Sequence, residues 1–284
     1  MTMRTKKNRK MTKKPNSMRH LDDAIRRSCG GAAQDYMRLR TRMANAIVAQ
    51  MLPDGVVKGG SSIKMRYGDA ATRFTTDLDM ATAMDADLNM ERLNDRLRQG
   101  WEGFTGRVVR KDPASPKDVP EEYVMQPCEV KLSYLGKPWC TVPLEVGFNE
   151  IGDADTIEWS DMPDVAELFE GIGFPPPGKA PLMPLDHQVT QKLHAVSGAG
   201  DRARDLVDLQ LIMHRSEVDL VATRRICERL FSYRKAQEWP PIVSKKAGWD
   251  ELYAEQASDL PVLDDVDSAI DWVNDLIVRI GNAK

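Results

Sequence analysis

The sequence predicts an α+β chain: a mixed α/β domain followed by a helical domain. Three observations predict it. Strand-like runs and amphipathic stretches alternate as far as residue 173. The break Phe174-Pro175-Pro176-Pro177-Gly178 then interrupts the pattern, and beyond it nearly every segment keeps a helical period.

Residues 1–19 carry Arg4, Lys6, Lys7, Arg9, Lys10, Lys13, Lys14 and Arg19 with no acid, so a net charge of −3 over 284 residues leaves −11 for the remainder. That is the composition of a basic, disordered tail, which favours a polyanionic partner or serves as a solubilising arm. Pro15-Asn16-Ser17 mark where order begins. From Ala33 to Leu52 the apolar residues Tyr36, Leu39, Met43, Ile47 and Met51 recur at three- and four-residue steps, and Pro53-Asp54-Gly55 stops that helix. Val56-Val57 reads as a short buried strand, Ser61 to Tyr67 as a helix, Asp77-Leu78-Asp79-Met80 as a strand and Leu88 to Trp101 as a helix. Strands follow between Gly106 and Phe148, with turns at Asp112-Pro113 and Gly136-Lys137-Pro138. After the break come helices over Leu185–Val196, Ala203–Met213, Glu217–Tyr233, Trp249–Ser258 and Val266–Ile280. The organisation expected is a tail over 1–19, an α/β domain over 20–173 and a helical domain over 174–284.

A hydrophobic share of 42% and a charged share of 29% are ordinary for a globular protein that buries a core. No apolar run nears the roughly 18 residues of a membrane span, and the N-terminus lacks the apolar segment of a secretory signal. The expectation is a cytoplasmic chain with no membrane partner. Cys29, Cys128, Cys140 and Cys227 are scattered without a C-x-x-C pair, which predicts free thiols.

The chemistry concentrates in Val56-Val57-Lys58-Gly59-Gly60-Ser61-Ser62 and Arg73-Phe74-Thr75-Thr76-Asp77-Leu78-Asp79. Gly59 and Gly60 after a strand let the backbone approach a phosphate, and the helix start offers unpaired N–H groups together with the hydroxyls of Ser61 and Ser62. Asp77 and Asp79, two apart on a strand, aim two carboxylates into one volume. Such a pair calls for a cation between them, and Mg²⁺ held by carboxylates and substrate phosphates fits. Lys192 lies off the Leu185, Val189, Leu193, Val196 stripe, where it balances triphosphate charge or is simply solvated. Asp205 and Asp208, one turn apart, can reach a common partner. Val142, Leu144 and Val146 alternate inward, which leaves Glu145 on the opposite face. Glu145 and Asp205 are both candidates for a third carboxylate.

This order of strand, Gly-Gly-Ser-Ser, helix and D-x-D strand resembles the nucleotidyltransferase superfamily that includes DNA polymerase β. Residues 40–235 resemble more narrowly the AbiEii-type (MenT-like) nucleotidyltransferase toxins of bacterial toxin–antitoxin systems. The further blocks are Val130-Lys131-Leu132, Gln191-Lys192-Leu193-His194-Ala195 and Asp201-Arg202-Ala203-Arg204-Asp205-Leu206-Val207-Asp208-Leu209. Thr75 stands where that family more often has serine, and Arg204 where it often has lysine. The resemblance implies a polymerase β-like α/β domain whose active site the helical domain completes. It implies Mg²⁺ on Asp77 and Asp79, with Lys192 and Asp205 or Glu145 catalytic. NTP binding would fall to Gly59, Gly60, Ser61, Ser62, Arg73, Lys131 and Asp208. It further implies transfer of NMP from NTP to an RNA acceptor, the 3′ end of tRNA, with a block of translation, and a cognate antitoxin as partner. Two alternatives remain: a small-molecule or protein acceptor, or a non-catalytic interaction module on the same fold.

Overall fold

The computed structural model describes residues 13–30, 32–113 and 124–284. Among the described residues, seven strands form one sheet in the order β3-β4-β5-β2-β1-β7-β6. They are β1 (Val56–Lys58), β2 (Leu78–Thr82), β3 (Phe104–Arg110), β4 (Gln126–Tyr134), β5 (Lys137–Phe148), β6 (Glu158–Ser160) and β7 (Ala180–Leu182). β2 runs parallel to β5 and β1 parallel to β7, while the remaining neighbours are antiparallel.

One face of the sheet is covered by α1 (Met18–Ser28), α2 (Ala33–Ala49), α4 (Ala86–Gln99) and α5 (Pro163–Gly171). Its core joins Met43 and Ile47 of α2, Leu93 and Leu97 of α4 and Phe169 of α5 to Leu78, Met80, Val130 and Leu144 of the strands. Strand alternation produces this: Val142, Leu144 and Val146 are buried while Thr141, Pro143 and Glu145 are exposed. A second core is built by α6 (Leu185–Ser197), α7 (Ala203–Arg215), α8 (Leu220–Arg234), α9 (Trp249–Ala257) and α10 (Val266–Gly281), around Leu193, Leu206, Leu209, Phe231, Trp249, Val273 and Ile277. The helix α3 (Gly59–Tyr67) ties the two together, because Ile63 sits in the helical core and Met65 in the sheet core.

Two boundaries differ from the expectation. The chain returns to the sheet after the Pro-rich break: Phe174, Ala180 and Leu182 belong to the sheet core and β7 pairs with β1, so the helical part begins at Leu185. Of the basic stretch 1–19, residues 1–12 lie outside the described residues. The rest is held, since Tyr134 donates its hydroxyl to the Pro15 carbonyl, Lys14 pairs with Glu102, and Ser17 caps α1 by accepting from His20 N–H at 3.2 Å. No helix among the described residues is long and apolar enough to cross a membrane. All four cysteines are free.

Candidate active site

The strand β1 passes into α3 without a loop, and the junction is Gly59 at φ +65°. A Cβ there would collide with the Asp79 carboxylate, and one on Gly60 would stand 2.8 Å from an Arg73 terminal nitrogen. Glycine is therefore demanded by close approach as well as by backbone angle. Both residues line a cavity of about 310 Å³, shared with Lys58, Arg73, Thr75, Asp77, Asp79, Glu145 and residues of α6 to α8. The first turn of α3 has no acidic residue. Its leading N–H groups lack intrahelical acceptors, which makes this end a place for an anion.

Ser61 and Ser62 are buried, and their hydroxyls are engaged within the protein: Ser61 donates to the Asp77 carbonyl, and Ser62 donates to Gln188 Oε1 at 3.2 Å. Gln188 in turn donates to the Gly59 carbonyl at 2.7 Å. The two serines thus hold the glycine turn against β2 and α6, and neither lines the cavity. The expectation that their hydroxyls face phosphate is corrected on this point.

The carboxylates gather as the alternation predicts. On the sheet, Lys58, Asp79 and Glu145 lie in register on β1, β2 and β5, so all three share one face side by side. Asp77 precedes β2, is exposed, and accepts from the Thr76 hydroxyl at 2.8 Å. Asp79 is half-buried at the cavity base. Burial first, then the neighbouring Glu145 and Asp77, push its pKa up to about 6, against the pull of Lys58 and Lys192. An oxygen-only pair of carboxylates with excess negative charge suits a hard divalent cation. No cluster of three or more His, Cys, Asp or Glu side chains at metal-holding spacing occurs among the described residues.

Facing them is a cation network. Arg73 makes a bidentate pair with Asp208, at 3.0 and 2.9 Å. Lys192 Nζ donates to Asp208 at 2.6 Å and to Asp205 at 2.8 Å. Asp208 is fully buried and does not line the cavity; Arg73, Lys192 and Asp205 do. Burial alone would raise the Asp208 pKa, but Lys192 and Arg73 outweigh it and hold the carboxyl below its usual range. The same aspartates strengthen the Arg73 charge against burial. Asp208 therefore fixes two cations from behind, and Arg202 and Arg204 add unburied charge at the rim.

Lys131 is not in this cavity. Its ammonium lies 3.5 Å from Glu129 and lines a separate groove at the far end of β4, because the register places it opposite Thr141, four residues along β5 from Glu145. Residues that sequence reasoning misses include Lys58, whose position at the end of a buried strand is the available signal. Asp153 is another: it is 1% exposed, accepts from Gln191 at 2.6 Å, and has a pKa raised to about 6 by burial despite Lys58. Arg234 also reaches the cavity, paired with Glu150.

Residues 39–275 match the family model described as nucleotidyl transferase AbiEii toxin, type IV TA system. No curated protein matches the chain. Among solved structures it is similar to MenT4, a nucleotidyltransferase toxin from Mycobacterium tuberculosis H37Rv, at 16% identity and a TM-score of 0.51, over 91% of this chain and 97% of that one. It also matches JHP933 from Helicobacter pylori at 15% identity and a TM-score of 0.43, over 88% and 93% of the two chains. At such identities the likeness concerns the fold.

Proposed function

Since the chain belongs to the AbiEii family of nucleotidyltransferase toxins of type IV toxin–antitoxin systems, we propose that it transfers a nucleoside monophosphate from an NTP to the 3′ end of an RNA, tRNA in particular, and so blocks translation. The observation that carries the reading is the convergence of the Gly59–Gly60 helix start, the Asp77/Asp79 pair and the Arg73–Lys192 cations on one cavity.

Asp77 and Asp79 would hold Mg²⁺, which when bound supplies charge neutralisation at the triphosphate. The α3 amides and Lys58 take the phosphates. Arg73 and Lys192, oriented by Asp208 and Asp205, offset charge on departing pyrophosphate. Glu145, exposed and beside Asp79, is placed to accept the proton of the acceptor hydroxyl as its oxygen bonds to the α-phosphorus. Asp205 is committed to Lys192, which favours Glu145 as the third acid. Most of the rate would come from positioning and fixed charge. An antitoxin made with the toxin is the family's implied partner, and cytoplasmic action follows from an RNA acceptor.

Sequencing RNA 3′ ends after brief expression in a bacterial host tests the reading. Discrete untemplated nucleotides on tRNA support it. Unaltered RNA ends alongside arrested growth would move the acceptor to a small molecule or protein.

A further inference from the structure

The sheet face that carries Asp79 and Glu145 continues, solvated, across β5, β4 and β3. Pro143 and Thr141 follow Glu145 on that face, and the register extends it to Glu129 and Lys131 on β4 and to Arg107 on β3. At its far end Arg40, Arg107, Lys131, Ser133 and Thr141 line a groove of about 470 Å³. Arg107 and Lys131 stand directly opposite each other on neighbouring strands. Like charges so paired are unfavourable unless an anion lies between them. Glu129 is one carboxylate shared by two lysines, 3.0 Å from Lys111 and 3.5 Å from Lys131, and Arg107 has no acidic partner among the described residues.

We propose that this groove binds backbone phosphate of the polynucleotide acceptor, upstream of the hydroxyl presented to Glu145. The inference rests on the reading that the acceptor is RNA. Four residues of β5 separate Thr141 from Glu145, roughly 13 Å at strand rise. A stacked strand advances about 3.4 Å per nucleotide, so the groove meets phosphate about four nucleotides from the end. The charge suits that occupant, and guanidinium forks favour phosphate geometry. The face is continuous with the cavity, so one strand can occupy both. Lys131 thereby keeps a phosphate, on the acceptor instead of the NTP.

The test uses full-length protein with 5′-labelled oligoribonucleotides of 3 and 12 nucleotides, measured for binding at two salt concentrations and for extension with NTP. Arg107→Glu, an exposed change, is expected to weaken binding of the 12-mer at least tenfold and to lower its salt slope by about 0.7 for each phosphate that is no longer neutralised. The 3-mer and NTP turnover without RNA should be unchanged, and the melting temperature without RNA should be no lower than the parent's, because the change removes the like charge opposite Lys131. Arg107→Lys should restore most of the affinity. Equal 12-mer binding by parent and Arg107→Glu, with both still extending it, overturns the groove while leaving the transfer reading intact. A parent that neither binds nor extends either oligonucleotide overturns the transfer reading itself. Displacement of the 12-mer by low millimolar inorganic phosphate would make this a free-phosphate site, and equal competition by poly-glutamate would make it a site for an acidic protein; either result overturns the proposal.

Discussion

Asp79 and Glu145 face each other in register across the parallel pair β2 and β5, with Lys58 in register beyond Asp79 on β1. The arrangement places a cation, a half-buried acid and an exposed acid in one row under the glycine turn. Substitutions in that row, in the turn above it and in the network opposite it have separable consequences.

Gly59→Ala tests the close approach. The backbone angle of +65° is unfavourable for alanine by about 1–2 kcal/mol, and its Cβ would drive into the Asp79 carboxylate. Activity is expected to fall at least a hundredfold while the far-ultraviolet circular dichroism stays that of the parent. A variant with near-parent turnover would mean that the turn and Asp79 are not in contact in the working enzyme.

Asp79→Asn tests the carboxylate crowding. In the fold the Asp79 pKa is about 6 against a reference value of 3.8, so the folded state binds the proton more tightly. The stability this contributes is present in full below pH 3.8 and is lost as pH rises through 6. Asparagine stays neutral, so without metal the variant should be more stable than the parent at pH 7.5, by about 1–2 kcal/mol after allowance for solvent reaching the cavity. The gain should vanish near pH 3.5. Adding Mg²⁺ should raise the melting temperature of the parent and not of the variant. Denaturant titrations at both pH values check the sign, and a less stable variant at pH 7.5 would contradict it.

Lys192→Ala and Asp208→Asn test the network from both sides. Each leaves buried charge without its partner, which typically destabilises by about 3–5 kcal/mol, and both should lose activity. Lys192→Arg should recover stability more fully than turnover, because a planar fork cannot meet Asp205 and Asp208 as a point charge does. Thermal melts beside initial rates separate the two effects.

Much of the fold and the site is legible in the sequence, for identifiable reasons. The helices α6 to α10 have long apolar periods, and the alternation Val142, Leu144, Val146 is enough to turn Glu145 to the other face. Lys58 is hard to read because β1 is three residues long, too short for a pattern. The strand β7 is hidden by its own Pro181 and the prolines before it. The hydroxyl of Ser62 is directed by Gln188, 126 residues away, and no local rule contains that partner. Strand alternation puts Lys131 on the right strand, but only the pairing with Thr141 shows which end of the sheet it occupies.

The proposed reaction in this cavity is the transfer of a nucleoside monophosphate onto RNA. The most direct measurement incubates purified protein with Mg²⁺, each NTP labelled at the α-phosphate, and total tRNA, then resolves RNA, protein and small molecules. Transfer to RNA predicts label at tRNA 3′ ends, pyrophosphate released in equal amount, and loss of both in Asp77→Asn, in Asp79→Asn and with chelator. Label confined to protein or small molecules, or transfer that persists in Asp79→Asn, would contradict it.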